Sequence, residues 1–387
     1  MHDIRTDAPP PRTAIVVGAG IGGLAAAIAL RGLGLRVRVL ERTAPGVAPA
    51  GAGITLWPNA LAALDQLGVR ASVASRGRVI EQATLSTPDG RPLSTVPLAA
   101  IARDLGPLLA FHRADLHAAL LDATGPDLVE TGMHVDSVID EEDHAGVRLR
   151  DGSEHVADVL IGADGVGSVV RTAVAGPVTP RYAGAMSWRG IAALDLPEPF
   201  VTEAWGAGER FGVVPLSQGR TYWFCTVTGP TSGLTEAAAH ADLLHRFGGW
   251  QAPIADVLAA TDPASIVSTP LTELPWLGAW SHERIAVLGD AAHAMTPNLG
   301  QGAAMALEDA VVLGRELGRG RRDVETALDA YAAMRRPRVR RVVGASRRLG
   351  GVAQASGPLA VRARDLVVRA TPARVQERRA RAFLTFD

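Results

Sequence analysis

The residues able to do chemistry fall into a few groups along the chain. Gly18, Gly20 and Gly23 stand in G-x-G-x-x-G register within GAGIGG, which also holds Ile21 and Gly22. An apolar β-branched run precedes them and an alanine-rich stretch follows. The next apolar run ends at Glu41-Arg42, 41 − 18 = 23 positions on. A strand, a glycine turn, a helix and a second strand ending in an acid form the unit that binds a dinucleotide. Gly18 permits the tight turn, a side chain at Gly20 would keep the backbone from a pyrophosphate, and one at Gly23 would hold helix off strand. The phosphates would face free N–H groups at the positive end of the helix. A carboxylate at 41 meets ribose hydroxyls and repels a 2′-phosphate, so the nucleotide is FAD or NAD and not NADP.

Three further segments share this glycine and acid character. Residues 158–171 read as a strand that breaks at Asp164-Gly165 and closes with Arg171. Residues 284–310 read as a buried strand ending at Gly289-Asp290, a loop with Pro297, and a helix opened by Gly300-Gln301-Gly302. Residues 51–68 place a glycine loop containing Gly53 before a helix starting near Pro58. Both aspartate turns fall at the carboxyl ends of strands, where α/β sheets bind ligands. A turn aspartate alone is as readily a helix cap. Backbone N–H groups at 300–302 suit partial negative charge. No His/Cys cluster has metal-ligand spacing, so no metal is called for.

These groups require an α/β fold: a Rossmann-like nucleotide domain with an inserted, mainly antiparallel sheet and C-terminal helices. We assign residues 1–75, 101–175 and 271–345 to the nucleotide domain, and 76–100 and 176–270, with short strands and frequent turns, to a substrate domain. Residues 346–387 form a C-terminal helical segment. Trp188, Phe211, Tyr222, Trp223 and Phe224 cluster in the insert although the chain is only 4% aromatic, which fits a sheet core. In the strand RTYWFC, Tyr222 and Phe224 share one face and Trp223 the other. Arg210 precedes the strand FGVVPL and could pair with an anionic or carbonyl-rich substrate; Arg189 is a second option. His293 reads as a helix-end histidine.

Composition narrows the classes. All 39 basic residues are arginines, which excludes Schiff-base and P-loop lysine chemistry. The net charge of −1 gives no drive toward nucleic acid, and the C-terminal arginine runs at 335–341 and 374–381 lack interleaved aromatics, so they read as solvated helix faces. Cys225 is the single cysteine, which excludes an internal disulfide and points to a reducing, cytoplasmic setting. No apolar run approaches the roughly 18 residues of a membrane span. The proline-rich start, MHDIRTDAPPPR, reads as an arm and not a signal peptide.

In its motifs and their order, from Thr13 to the 340s, the chain resembles the single-component FAD-dependent aromatic hydroxylases. These have the para-hydroxybenzoate hydroxylase fold, and the likeness is greatest to the salicylate, hydroxybenzoate, hydroxynicotinate and urate hydroxylase group. The resemblance implies a bound FAD, NADH or NADPH as a transient donor, and O2. It also implies hydroxylation of a small aromatic through a 4a-hydroperoxyflavin. By this likeness residues 18–23 and Glu41 hold the adenosine half of FAD, Arg113 the flavin side of the pyrophosphate, and Asp290 of the Gly289-Asp290 pair the ribityl chain. Asp164-Gly165 are tied to FAD and donor, and Pro297 to Gly302 to the flavin ring. Tyr222 is expected to face the substrate. Arg210, Tyr222 and Pro297 are thus the candidate catalytic residues. A reductase of the same fold, or a tailoring monooxygenase acting on a larger polycyclic compound, is the alternative; the chain is expected to be a monomer or homodimer.

Overall fold

The computed structural model describes residues 13–44, 52–230, 236–319 and 323–386. The proline-rich arm lies outside the described residues.

Strand β1 (Thr13–Val17), helix α1 (Ile21–Gly32) and strand β2 (Arg36–Glu41) form the first βαβ unit. The β-branched TAIVV run is buried almost throughout, as a central parallel strand must be. β1 lies in a six-stranded sheet whose order is Ser281–His282, Ile285–Val287, Val159–Gly162, β1, β2, Val129–Thr131. All neighbours are parallel except the first pair. Register matters most here. Val17 pairs with Gly162, and Gly162 pairs with Val287. Three loops more than a hundred residues apart therefore leave the same sheet edge side by side, carrying the Gly18, Gly165 and Gly289-Asp290 turns.

The helix Gly302–Leu317 packs along α1, where a Cβ on Gly314 would lie 2.9 Å from the Ala29 side chain. The second large sheet has seven strands, in the order Val267–Glu273, Arg181–Ala192, Thr221–Thr228, Glu209–Pro215, Phe200–Trp205, Gln82–Ser86, Pro92–Pro97. It is antiparallel apart from the pairing of Phe200–Trp205 with Gln82–Ser86. Trp188, Phe211 and Trp223 form its core with Phe247, and the rings of Phe211 and Trp223 stack at 5.5 Å. The other face carries Arg189, Arg210, Tyr222 and Phe224 toward the nucleotide loops.

Two segments differ from the expected division. Within 76–100, only Gln82–Ser86 and Pro92–Pro97 join the seven-stranded sheet, whereas Arg78–Ile80 pairs with Leu108–His112 in a small sheet beside Gly53–Leu56. No break occurs near 346, because one helix runs from Val324 to Ala353. Ser346 on that helix is fully buried against Thr296, so packing carries the helix across the boundary.

Candidate active site

The nucleotide loops and the seven-stranded sheet enclose a cavity of about 520 Å³. Gly20, Ile21 and Gly22 form one end, with Gly165 and Arg113 close by. Gly289, Asp290, Pro297, Gly300 and Gly302 form the floor. Val201, Val214, Tyr222 and Phe224 supply an apolar roof, and Ser187, Arg189, Glu203, Arg210 and Thr226 its polar groups. The size is that of a small-molecule site with few, placed polar groups.

The glycine turn follows from sterics. Gly18 has φ +100°, and a Cβ there would meet the Ala163 carbonyl oxygen at 2.5 Å. A Cβ on Gly23 would sit 1.9 Å from the Gly18 carbonyl oxygen, so this glycine sets helix-on-strand packing. Gly20 differs: nothing lies within 4 Å of its Cβ position, which opens onto the cavity. Gly300 sits at φ +61° and closes the short turn Pro297–Leu299 before the long helix begins.

Several expected residues lie behind the cavity wall. The Glu41 carboxylate accepts the N–H groups of Ala19 and Thr43, each at 2.8 Å. Burial pushes this carboxyl up, but the Thr43 and Ala19 hydrogen bonds and the Arg42 charge outweigh it and hold it below the ordinary range. Arg42 does not line the cavity. Asp164 accepts from the Ser168 hydroxyl at 2.5 Å and the Val169 N–H at 2.7 Å, so its carboxylate caps the turn into the helix Val170–Ala175. Arg171 is buried and donates to the carbonyls of Val166 and Ala291, tying two nucleotide loops together. The Gln301 side chain is also buried, accepting from Asn59 at 2.9 Å. Gly53 does line the cavity, and its missing side chain admits the Tyr222 ring, which a Cβ would meet at 2.2 Å.

Beneath the floor lies an ionic network that the sequence reading missed. His293 is fully buried, and its Nε2 lies 2.6 Å from the Asp309 carboxylate. The same Asp309 oxygen accepts the Gly289 N–H at 3.0 Å, holding the turn that presents Asp290. Arg335 bridges Asp309 and Glu308, each at 2.7 Å. Glu308 also accepts from Arg338 and from Asn59, whose amide reaches Gln301. The available signal was the adjacent acid pair Glu308-Asp309 inside an otherwise apolar helix, since buried acids require partners.

On the substrate side, Arg210 donates to Asn298 Oδ1 at 2.9 Å and to Thr226 Oγ1 at 3.1 Å, with Glu203 at 3.4 Å. Asn298 in turn donates to the Ser346 carbonyl at 3.0 Å. Arg210 thereby joins the sheet to the Pro297–Leu299 turn. Arg189 reaches Thr269, but its Nε–H is buried with no acceptor. Burial pushes the Tyr222 hydroxyl up to about 12, despite the nearby Arg189 charge. It stays protonated and shares a proton without removing one. Phe224 faces the same way, while Trp223 is fully buried on the other side.

A glycine-walled cradle continuous with an aromatic pocket is the site of a flavoprotein oxidoreductase. Comparison with known proteins agrees. Residues 12–346 match the family described as FAD binding domain. The aurachin C monooxygenase/isomerase of Stigmatella aurantiaca is 38% identical over 360 residues, covering 92% of this chain and 94% of that protein. A FAD-dependent urate hydroxylase of Klebsiella pneumoniae is 37% identical over 339 residues, covering 85% of this chain and 87% of that protein. The structure of Klebsiella pneumoniae HpxO complexed with FAD and uric acid superposes with a TM-score of 0.90 at 30% identity, over 99% of this chain and 98% of the other. The chain belongs to the FAD-binding-domain family, within its single-component aromatic hydroxylase group, and is a FAD-dependent monooxygenase.

The residues present fit FAD. The space at Gly20 is one a Cβ would fill, and the Asp290 carboxylate lines the cavity with no hydrogen bond or ion pair to a described residue. Gly20→Val is expected to leave the circular dichroism spectrum unchanged, because the backbone there is extended and its Cβ has room. Bound FAD per chain should fall at least about tenfold, since the branched side chain blocks backbone approach to the pyrophosphate. Full flavin content in the purified variant would contradict this placement.

Proposed function

We propose that the chain hydroxylates a small planar heteroaromatic bearing a ring carbonyl or anionic oxygen, using FAD, NADH or NADPH, and O2. The observation that carries this reading is the pair of guanidiniums, Arg189 and Arg210, with an un-ionised phenol, Tyr222, around one apolar-walled cavity at the flavin loop. When bound, FAD takes electrons from the nicotinamide donor and supplies activated oxygen to the substrate ring. Residues 20–22, Arg113, Asp290 and 300–302 hold the cofactor in this reading, with Glu41 at the adenosine end. The N–H groups at the start of the helix Gly302–Leu317 favour the negative charge of the reduced ring.

The side chains of this protein position the ring and keep water away from it. Arg210, fixed by Thr226 and Asn298, offers donors to a substrate oxygen and keeps the flavin turn at a set distance from the sheet. The free Nε–H of Arg189 is a second donor awaiting an acceptor. Tyr222 shares its proton with a phenol-type or lactam oxygen, so electron density rises on the ring without a strong base. Val201, Val214 and Phe224 exclude water, which protects the oxidising species. The urate hydroxylases among the relatives act on a bicyclic of this kind. A cytoplasmic location, and a monomer or homodimer, complete the reading.

The test is direct. Purified yellow protein is mixed with NADH or NADPH, O2 and a panel of hydroxylated pyridines, purines, quinolones and benzoates, and donor oxidation and peroxide release are followed. At least one such compound should speed donor oxidation and appear with one added oxygen. Donor oxidation indifferent to the whole panel, with all oxygen recovered as peroxide, would sink the hydroxylase assignment.

A further inference from the structure

The helix Pro358–Ala370 buries Arg364, with Val361, Asp365 and Val368 half-buried beside it, and leaves its leucines exposed to solvent. Inward, the buried Arg364 donates to the carbonyls of Gly206 at 2.8 Å and of Trp205 and Ala353 at 3.2 Å. It also pairs with Asp365 and lies 5.6 Å from the centroid of the Trp205 ring. Outward, Leu359, Leu366 and Val367 are 81%, 67% and 64% exposed. Leu359 and Leu366 are two turns apart on one stripe, and exposed Arg362 and Arg369 each follow a leucine by three positions on the same side. Single exposed leucines are ordinary, whereas an apolar stripe anchored from behind by an arginine marks an interaction surface.

Charge identifies the partner. Residues 330–387 contain fourteen arginines against Asp365, Glu377 and Asp387. Glu308, Asp309, Glu273 and Asp104 from outside the segment pair with Arg335, Arg338, Arg347 and Arg381, so the net is 14 − 3 − 4 = +7 in a chain whose total is −1. Asp365 is already paired with Arg364. A second copy of this chain fits poorly, because two-fold pairing along the helix brings Arg362 and Arg369 against their own counterparts. The helix has 13 residues, so it is about 20 Å long, and its face alone falls short of the roughly 800 Å² per partner that a stable interface buries. An anionic lipid surface meets both requirements, taking in a few apolar side chains and attracting arginines with its phosphates.

We infer that the helix 358–370 lies in the headgroup layer of an anionic membrane, with Leu359, Leu366 and Val367 inserted and Arg362 and Arg369 against lipid phosphates. This is surface attachment: among the described residues no helix is long and apolar enough to cross a membrane. The attachment is independent of the substrate reading.

The FAD-loaded full chain is co-sedimented with phosphatidylcholine vesicles, with and without phosphatidylglycerol, at low and high salt. Binding should require phosphatidylglycerol and weaken with salt. Arg362→Gln/Arg369→Gln should lower the partition coefficient about 30-fold, from about fivefold per arginine. Leu359→Gln/Leu366→Gln should lower it at least about tenfold. Both variants should keep wild-type donor oxidation in solution, and lipid-free sedimentation velocity should be the same for all three proteins. Absence of vesicle binding overturns the inference, as does equal binding to neutral vesicles. A lipid-free dimer that Leu359→Gln/Leu366→Gln dissociates also overturns it, in favour of a second copy.

Discussion

Arg210→Gln should retain FAD and fold normally, yet turn a coupled hydroxylase into one that releases most of its reducing equivalents as hydrogen peroxide. The guanidinium is 3% exposed and spans three groups: Thr226 on one neighbouring strand, Glu203 on the other and Asn298 on the Pro297–Leu299 turn. Glutamine can keep one of these contacts but cannot span all three. It also removes the charge that would meet a substrate oxygen. A misplacement of about 1 Å at a reacting centre costs on the order of a hundredfold in rate, while oxygen reduction at the flavin needs no such alignment. Product formed per NADH or NADPH consumed should therefore fall at least about tenfold, with total donor oxidation reduced far less. Arg210→Lys should not rescue, because an ammonium lacks the planar fork. Unaltered coupling in the glutamine variant would remove Arg210 from the site.

The second large effect is on stability. Arg335→Met should destabilise the protein by about 3–5 kcal/mol, the range for removing one partner from a buried charge network. Arg335 is 2% exposed and holds both Glu308 and Asp309, which are themselves fully buried. Arg338 and Asn59 still serve Glu308, and His293 still serves Asp309, but one buried negative charge is left uncompensated. The urea midpoint at neutral pH reports the loss; a change below about 1 kcal/mol would show that the network relaxes without it. Because Asp309 also receives the Gly289 N–H, FAD retention should weaken in the same variant.

Acid sensitivity follows from the same carboxylate. Burial opposes the charge of Asp309, yet His293 and Arg335 hold its carboxyl down to about 2. An unfolded aspartate titrates near 3.9. A folded value below the unfolded one contributes stability that is complete above about pH 4 and is lost as pH falls toward 2. Removing Arg335 withdraws part of that support, so the acid-unfolding midpoint followed by circular dichroism should move to higher pH. A midpoint unmoved by the substitution would assign acid unfolding to other groups.

Local regularity made much of this protein readable in advance. The β1–α1–β2 unit is written in one stretch of thirty residues, with Gly18 and Gly23 required by nearby backbone contacts. The alternation of Tyr222, Trp223 and Phe224 is likewise a property of one strand. Asp164 shows where such reading stops. Its turn lies beside the cavity through Gly165, yet its carboxylate is turned to Ser168 and Val169, and nothing in the local sequence separates a cap from a ligand contact. Arg171 and Gln301 are similar, with side chains committed to Ala291 and Asn59, residues 120 and 242 positions away.

By itself, then, the sequence determined the kind of cofactor site and the two classes of sheet, because glycine sterics and strand periodicity act over a few neighbouring residues. It also excluded lysine chemistry and an internal disulfide outright. Only the tertiary structure decided which side chains reach the cavity. It tied Arg210 to the Pro297–Leu299 turn through Asn298, set Tyr222 over Gly53 and buried the His293–Asp309–Arg335 network beneath Asp290. It also turned the leucines of the helix 358–370 outward. Each of these depends on contacts between segments far apart in the chain, and parallel register and helix packing choose those contacts without leaving a mark on either segment alone.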